Sequence, residues 1–162
     1  MKNTRAQIKS NGERSLPLLK NIHPLIDADL LYNLRAMGHG DYIALVDRNF
    51  PATAIAQGKP VIQMNGVNVV AAGDAILSLL PLDTFVDHPV KRMNPVDGGT
   101  SLPPAQLEFQ EMLRGHLTEA TAMEAIERFD FYQQASHAFA IVQTGEARAY
   151  GCFLVQKGVI FN

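Results

Sequence analysis

Apolar side chains recur at Leu30, Leu31, Leu34 and Met37, the spacing of one helical face, so residues 27–38 are predicted to form a helix. Asp27 is suited to cap its first free backbone N–H groups. Gly38 stands where helices commonly close in the left-handed conformation. The run YIALVD (42–47) reads as a short buried strand closed by Asp47, with loop chemistry in Asn49-Phe50-Pro51. PVIQM (60–64) predicts a second strand, Asn65-Gly66 a turn, and residues 69–80 a helix stopped by Pro81. Short strands are expected at 85–86 and 90–93, on either side of His88-Pro89. NPVDGGTSLPP (94–104) is loop, and 105–117 has helical periodicity.

The C-terminal third predicts a strand at 125–129 and a helix at 130–137 capped by Asp130. Two further strands, 138–143 and 150–158, are joined by a turn at 144–149. Strands alternating with helices argue for one α/β domain over residues 16–162. Its sheet should be mostly parallel, flanked by helices and finished by a C-terminal antiparallel strand pair. Residues 1–15 are polar and basic, with no apolar core of a secretory signal, and are expected to form a flexible leader.

Composition narrows the function classes. With 47% hydrophobic residues and a net charge of −2, the chain can bury a core, and it carries no basic stripe for nucleic acid or acidic membranes. The longest apolar stretch, 67–82, is broken by Asn68 and Asp74 and reads as a core helix rather than a membrane span. A single cysteine, Cys152, excludes an internal disulfide and fits a reducing, cytoplasmic location. The five histidines never fall at i, i+4, so no metal site is expected.

The stretch AMGHGD (36–41) holds the most pointed chemistry, a histidine between two glycines. It is not a dinucleotide fingerprint, because the order is helix, glycines, strand and no helix N-terminus faces a phosphate. Gly98-Gly99-Thr100-Ser101 lacks the lysine of a phosphate-binding loop, and there is no G-x-S-x-G elbow. Two readings of His39 stand open. It is a helix-terminal cation favoured by the macrodipole, or an imidazole left accessible to a small ligand. Likewise Arg128 either pairs with Glu127 or Asp130 at the surface or offers its donors to a ligand. Tyr150 is a half-buried core residue or a ligand contact, and Cys152 an inert buried thiol or part of a site.

Several separated blocks share one resemblance. GHGD (38–41), a strand, Asp47 and Asn49-Phe50-Pro51-Ala52 are followed by ERFDFYQQASHAFAIVQTGEARAYG (127–151) and KGVI (157–160). In that order they resemble the RbsD/FucU family of sugar mutarotases, and IHPLIDADLLYNLRAMGHGD (22–41) is similar to its L-fucose branch. The resemblance spans nearly all of residues 17–161 and is loosest over 82–120.

The resemblance implies a cofactor-independent mutarotase that interconverts the anomers of a monosaccharide, L-fucose first among them. It puts the catalytic histidine at His39 and substrate-binding positions at Asp47, Arg128, Tyr150, Gly151 and Cys152. At Cys152 the family pattern has asparagine, and a thiol donates and accepts hydrogen bonds more weakly than an amide. Histidine suits a reversible proton transfer, since its unperturbed pKa of about 6.5 lies near the working pH. Tyr132 is a further candidate for the same hydroxyl-and-ring contact as Tyr150. The resemblance also implies ring-shaped homo-oligomers, commonly decamers, in which the Tyr150 segment serves the His39 of a neighbouring subunit. Two alternatives remain: a sugar-binding or transport-associated protein without turnover, and a pyranase or mutarotase for another aldose.

Overall fold

The computed structural model of the chain describes residues 19–98, 101–117 and 123–161, and the leader expected at 1–15 lies outside them. Eleven elements follow in order. They are α1 (Ala28–Ala36), β1 (Tyr42–Val46), α2 (Ala52–Ala56), β2 (Val61–Met64), α3 (Val69–Leu77) and β3 (Val90–Met93), then α4 (Pro104–Leu113), β4 (Glu124–Ile126), α5 (Arg128–His137), β5 (Ala140–Thr144) and β6 (Phe153–Gln156). The strands form one sheet in the order β2-β5-β1-β6-β3-β4.

Helices cover both faces of this sheet, and the strand period of two shows why the strands read as unbroken apolar runs. Ile43 and Leu45 of β1, with Phe153 and Val155 of β6, pack on the side of α1, α3 and α4. Ala44, Val46 and Leu154 point to the other side, against α2 and α5. At the centre of the larger layer Phe109 stacks on Phe153 with centroids 3.8 Å apart.

The α/β class, the single domain and the mostly parallel sheet agree with expectation. β1 pairs in parallel with β5, β2 with β5, and β3 with β4. The C-terminal strand pair needs correction. β5 and β6 are not partners, because β1 lies between them, and β6 runs antiparallel to both β1 and β3. The intervening residues 145–152 therefore cross the end of β1 instead of making a tight turn.

Other local differences have local causes. α1 ends at Ala36 with Met37 in extended conformation, and Gly40 rather than Gly38 takes positive φ, at 85°. The Asp41 carboxylate binds the Gly38 N–H at 2.7 Å and shapes this turn. α5 begins at Arg128, not Asp130, because the Glu127 carboxylate caps the Phe129 and Asp130 N–H groups. Residues 85 and 86 are exposed and form no strand. α2 is too short to show a helical period in the sequence.

Gly73 lets α3 sit against α4. A Cβ there would lie 2.5 Å from Phe109 Cε2 and 2.9 Å from Met112 Cε. Phe109 is fully buried and held by its stack on Phe153, so it cannot step aside. Gly73→Ala is therefore expected to cost about 1–3 kcal/mol through overpacking, read from the midpoint of urea unfolding.

Candidate functional site

β1 and β3 run parallel, and their C-terminal ends meet the start of β6 and the N-terminus of α5. Open α/β sheets bind ligands at such carboxyl ends. Here a cavity of about 170 Å³ is lined by Asp47, Asn49, Phe50, Met93, Arg128, Tyr132, Ala149, Tyr150 and Cys152. Four of the predicted site residues, Asp47, Arg128, Tyr150 and Cys152, are thus brought together.

Asp47 is buried at the end of β1, with Oδ1 accepting the Asn49 N–H at 2.9 Å. Its Oδ2 accepts a hydrogen bond from Cys152 Sγ at 3.4 Å. Burial, reinforced by the charge of Asp47, pushes the Cys152 thiol well above its ordinary pKa and keeps it a neutral donor. The thiol at this position is therefore tied to the carboxylate beside it.

Arg128 occupies the first turn of α5, its guanidinium 4.6 Å from the centroid of the Phe129 ring. It makes no ion pair with Glu127 or Asp130, since the Glu127 carboxylate is used as the helix cap. Its Nε is buried without a hydrogen-bond partner among the described residues. A buried donor left unpaired costs about 1–3 kcal/mol.

Tyr150 holds a left-handed backbone, φ 62°, which is costly for a residue with a Cβ. Gln106, fully buried, fixes it: Nε2 donates to the Tyr150 carbonyl at 2.9 Å and to that of Met93 at 2.7 Å. Tyr150 Oη accepts the Val96 N–H at 3.3 Å. Gly151 lets the chain pass close, because a Cβ there would come 2.8 Å from Glu146 Cγ and 3.6 Å from Asp47 Cβ.

His39 lies elsewhere. It precedes β1 whereas Asp47 follows it, and at about 3.3 Å per residue the strand keeps them roughly 17 Å apart. The His39 side chain is 47% exposed, and its Nε2 stands 3.1 Å from Oδ2 of Asp83, itself only 2% exposed. Asp83 Oδ1 accepts the Phe85 N–H at 3.0 Å, and the Phe85 ring lies 5.5 Å from the imidazole. The end of β6 supports this group. Gly40 N–H donates to the Lys157 carbonyl and Asp83 N–H to that of Gln156. A Cβ on Gly158 would collide with the backbone of Leu82 and Asp83.

Sequence reasoning did not single out Asp83, Gln106 or the pair Glu146–Arg148. Asp83 carries a weak signal, an aspartate two residues before the N–H it accepts. Arg148 clamps the 145–149 crossing from its Nε and Nη2, each 2.9 Å from a Glu146 oxygen, and from Nη1, 2.7 Å from Glu108 Oε1. These contacts hold the buried Glu146 carboxyl down at a pKa of about 2 and raise that of Arg148.

The lowered Glu146 value gives stability that is complete above the unfolded carboxyl's range, near 4.5, and is lost as pH falls toward about 2. Glu146→Gln is therefore expected to unfold at lower urea concentration than wild type at pH 7. The gap between the two should shrink steadily below pH 4.5.

Comparison with known proteins assigns the family. The model of the RbsD / FucU transport protein family matches residues 20–160. The chain is 42% identical over 146 residues to a fucose mutarotase of Homo sapiens, covering 88% of this chain and 94% of that one. It is 36% identical to an L-fucose mutarotase of Haemophilus influenzae, covering 88% and 97%. The crystal structure of a fucose mutarotase in complex with L-fucose from Streptococcus pneumoniae superposes with a TM-score of 0.81 at 39% identity, covering 88% of this chain and all of that one. With the family model spanning most of the chain and these identities extending over nearly its whole length, the protein belongs to the RbsD/FucU family.

Proposed function

We propose that this protein is a cofactor-independent mutarotase, an isomerase acting on L-fucose or a closely similar aldose. The observation that carries the reading is the cavity that Asp47, Arg128 and Tyr150 line together, which puts a buried carboxylate and a guanidinium in one pocket. Sugar hydroxyls both donate and accept, so one ring can satisfy Asp47 and Arg128 together. The high identity to mutarotases supports turnover as well as binding.

Mutarotation breaks the bond between the anomeric carbon and the ring oxygen. The anomeric hydroxyl gives up its proton and becomes the aldehyde oxygen, while the ring oxygen takes up a proton. Rotation and closure on the other face reverse both transfers, so no proton is gained or lost overall. His39 is the proton-transfer group. Asp83 holds its Nε2, which leaves Nδ1 as the nitrogen turned toward a sugar. Asp47, Arg128, Tyr150 and the Gly151-Cys152 backbone bind and orient the ring.

One chain does not bring His39 to its own cavity. The reading therefore includes assembly, with His39 and Asp83 of one copy closing the Asp47–Arg128 cavity of another. A head-to-tail contact of this kind closes into rings, in keeping with the ring-shaped oligomer that the family resemblance implies. The site lies at the ends of the sheet, where cytoplasmic sugar could reach it between copies.

Magnetisation-exchange NMR on the anomeric protons of L-fucose tests the chemistry. Wild type is expected to accelerate exchange and His39→Ala to slow it by about 100-fold or more. Ligand line broadening without exchange in the wild type would instead identify a sugar-binding protein. A second experiment tests the shared site. His39→Ala and Arg128→Ala, each inactive alone, should regain exchange when dissociated and reassembled together. Mixtures as inactive as their components would overturn the shared site.

A further inference from the structure

Beside the inner cavity lies a second one of about 330 Å³, and Ala149 and Tyr150 line both. Its remaining wall comes from Arg148 and from residues before and after Gly99-Thr100, with Pro95, Pro103 and Pro104 as flat apolar surfaces and Asp97 and Ser101 as hydrogen-bonding groups. The stretch 94–104 was singled out by its composition, and the reaction proposed above makes no use of it.

The chemistry of this outer cavity is selective. Arg148 has its Nε and Nη2 on Glu146 and its Nη1 on Glu108, so its charge is already matched. Asp97 adds negative charge. Among the described residues a phosphate or carboxylate would find no free cation there, and it would meet a like charge at Asp97. A neutral ring fits better, with its C–H face on the prolines and its hydroxyls toward Ser101 and Asp97. Tyr150 is the divider: its backbone is pinned by Gln106, while its hydroxyl accepts from Val96 and keeps its own proton to donate.

From this we infer that the outer cavity is a subsite for a second, neutral sugar ring, so that the protein acts on reducing disaccharides as well as monosaccharides. The inference rests on the mutarotase reading. The reducing-end ring occupies the inner cavity and keeps its anomeric hydroxyl free, as ring opening requires. The second ring is joined through a carbon away from the anomeric centre and passes Tyr150 into the outer cavity. Glycosides blocked at the anomeric oxygen would bind without exchange.

The probe is a disaccharide with L-fucose at its reducing end, substituted at O3 or O4 by a neutral hexose, compared with L-fucose alone. Binding is followed by saturation-transfer NMR and titration calorimetry, and turnover by anomeric exchange. Wild type should bind the better of the two disaccharides about tenfold more tightly than L-fucose, with saturation reaching the protons of the second ring. Ser101→Trp, which fills the outer cavity from an exposed position, should remove that advantage and leave L-fucose binding and exchange unchanged. Ser101→Phe serves as a second filling variant, with thermal midpoints checking that both fold.

Disaccharides that bind no better than L-fucose, or whose advantage survives both variants, would overturn the subsite. Absence of exchange with L-fucose itself would overturn the mutarotase reading instead. In that case the binding comparison still decides whether a second ring is held.

Discussion

Strand β6 enters the sheet antiparallel between β1 and β3, and the backbone hydrogen bonds on its two edges hold both the Asp47 end and the His39 end of the sheet. At its start, Met93 N–H donates to the Cys152 carbonyl, and the Cys152 side chain reaches Asp47 beyond the end of β1. At its end, Gln156 and Lys157 offer carbonyls to Asp83 and Gly40, on either side of His39. A slip of one residue would turn Cys152 away from Asp47 and send Phe153 to the opposite layer, losing its stack on Phe109. The apolar alternation of β6 thus sets where the polar groups stand.

The central strand deserves its place for a second reason. Because it opposes its neighbours in direction, its first residues lie at their carboxyl ends, where a parallel strand would have presented its last. Tyr150-Gly151-Cys152 therefore arrives at the mouth of the sheet from a crossing segment, and the Glu146–Arg148 pair and Gln106 hold that segment still. Tyr150 keeps a left-handed backbone because the contacts around it outweigh the local cost. The residues that position the cavity are more deeply buried than some of those that line it.

Much of this was legible in the chain. The helical period of 27–38, the apolar run of β1 and the Asn65-Gly66 turn each named an element by local chemistry, and the blocks around His39, Asp47 and Arg128 gave the resemblance. What escaped was non-local. Residues 138–143 and 150–158 look like a hairpin because they are close in sequence, and only tertiary packing inserts β1 between them. Gln106 reads as an ordinary helix residue until its amide is seen spanning Met93 and Tyr150. Asp83 pairs with a histidine forty-four positions away, a distance over which periodicity carries no signal. The separation of His39 from Asp47 follows from the length of one strand, and how copies of the chain would meet is a matter of assembly, which residue patterns within one chain do not encode.

The outermost strands carry a different consequence. β4 has three residues and β2 four, so the open borders of the sheet offer few unpaired backbone groups to an incoming strand. Copies of this chain are thereby discouraged from adding to one another edge by edge into a continuous sheet, the route toward fibres.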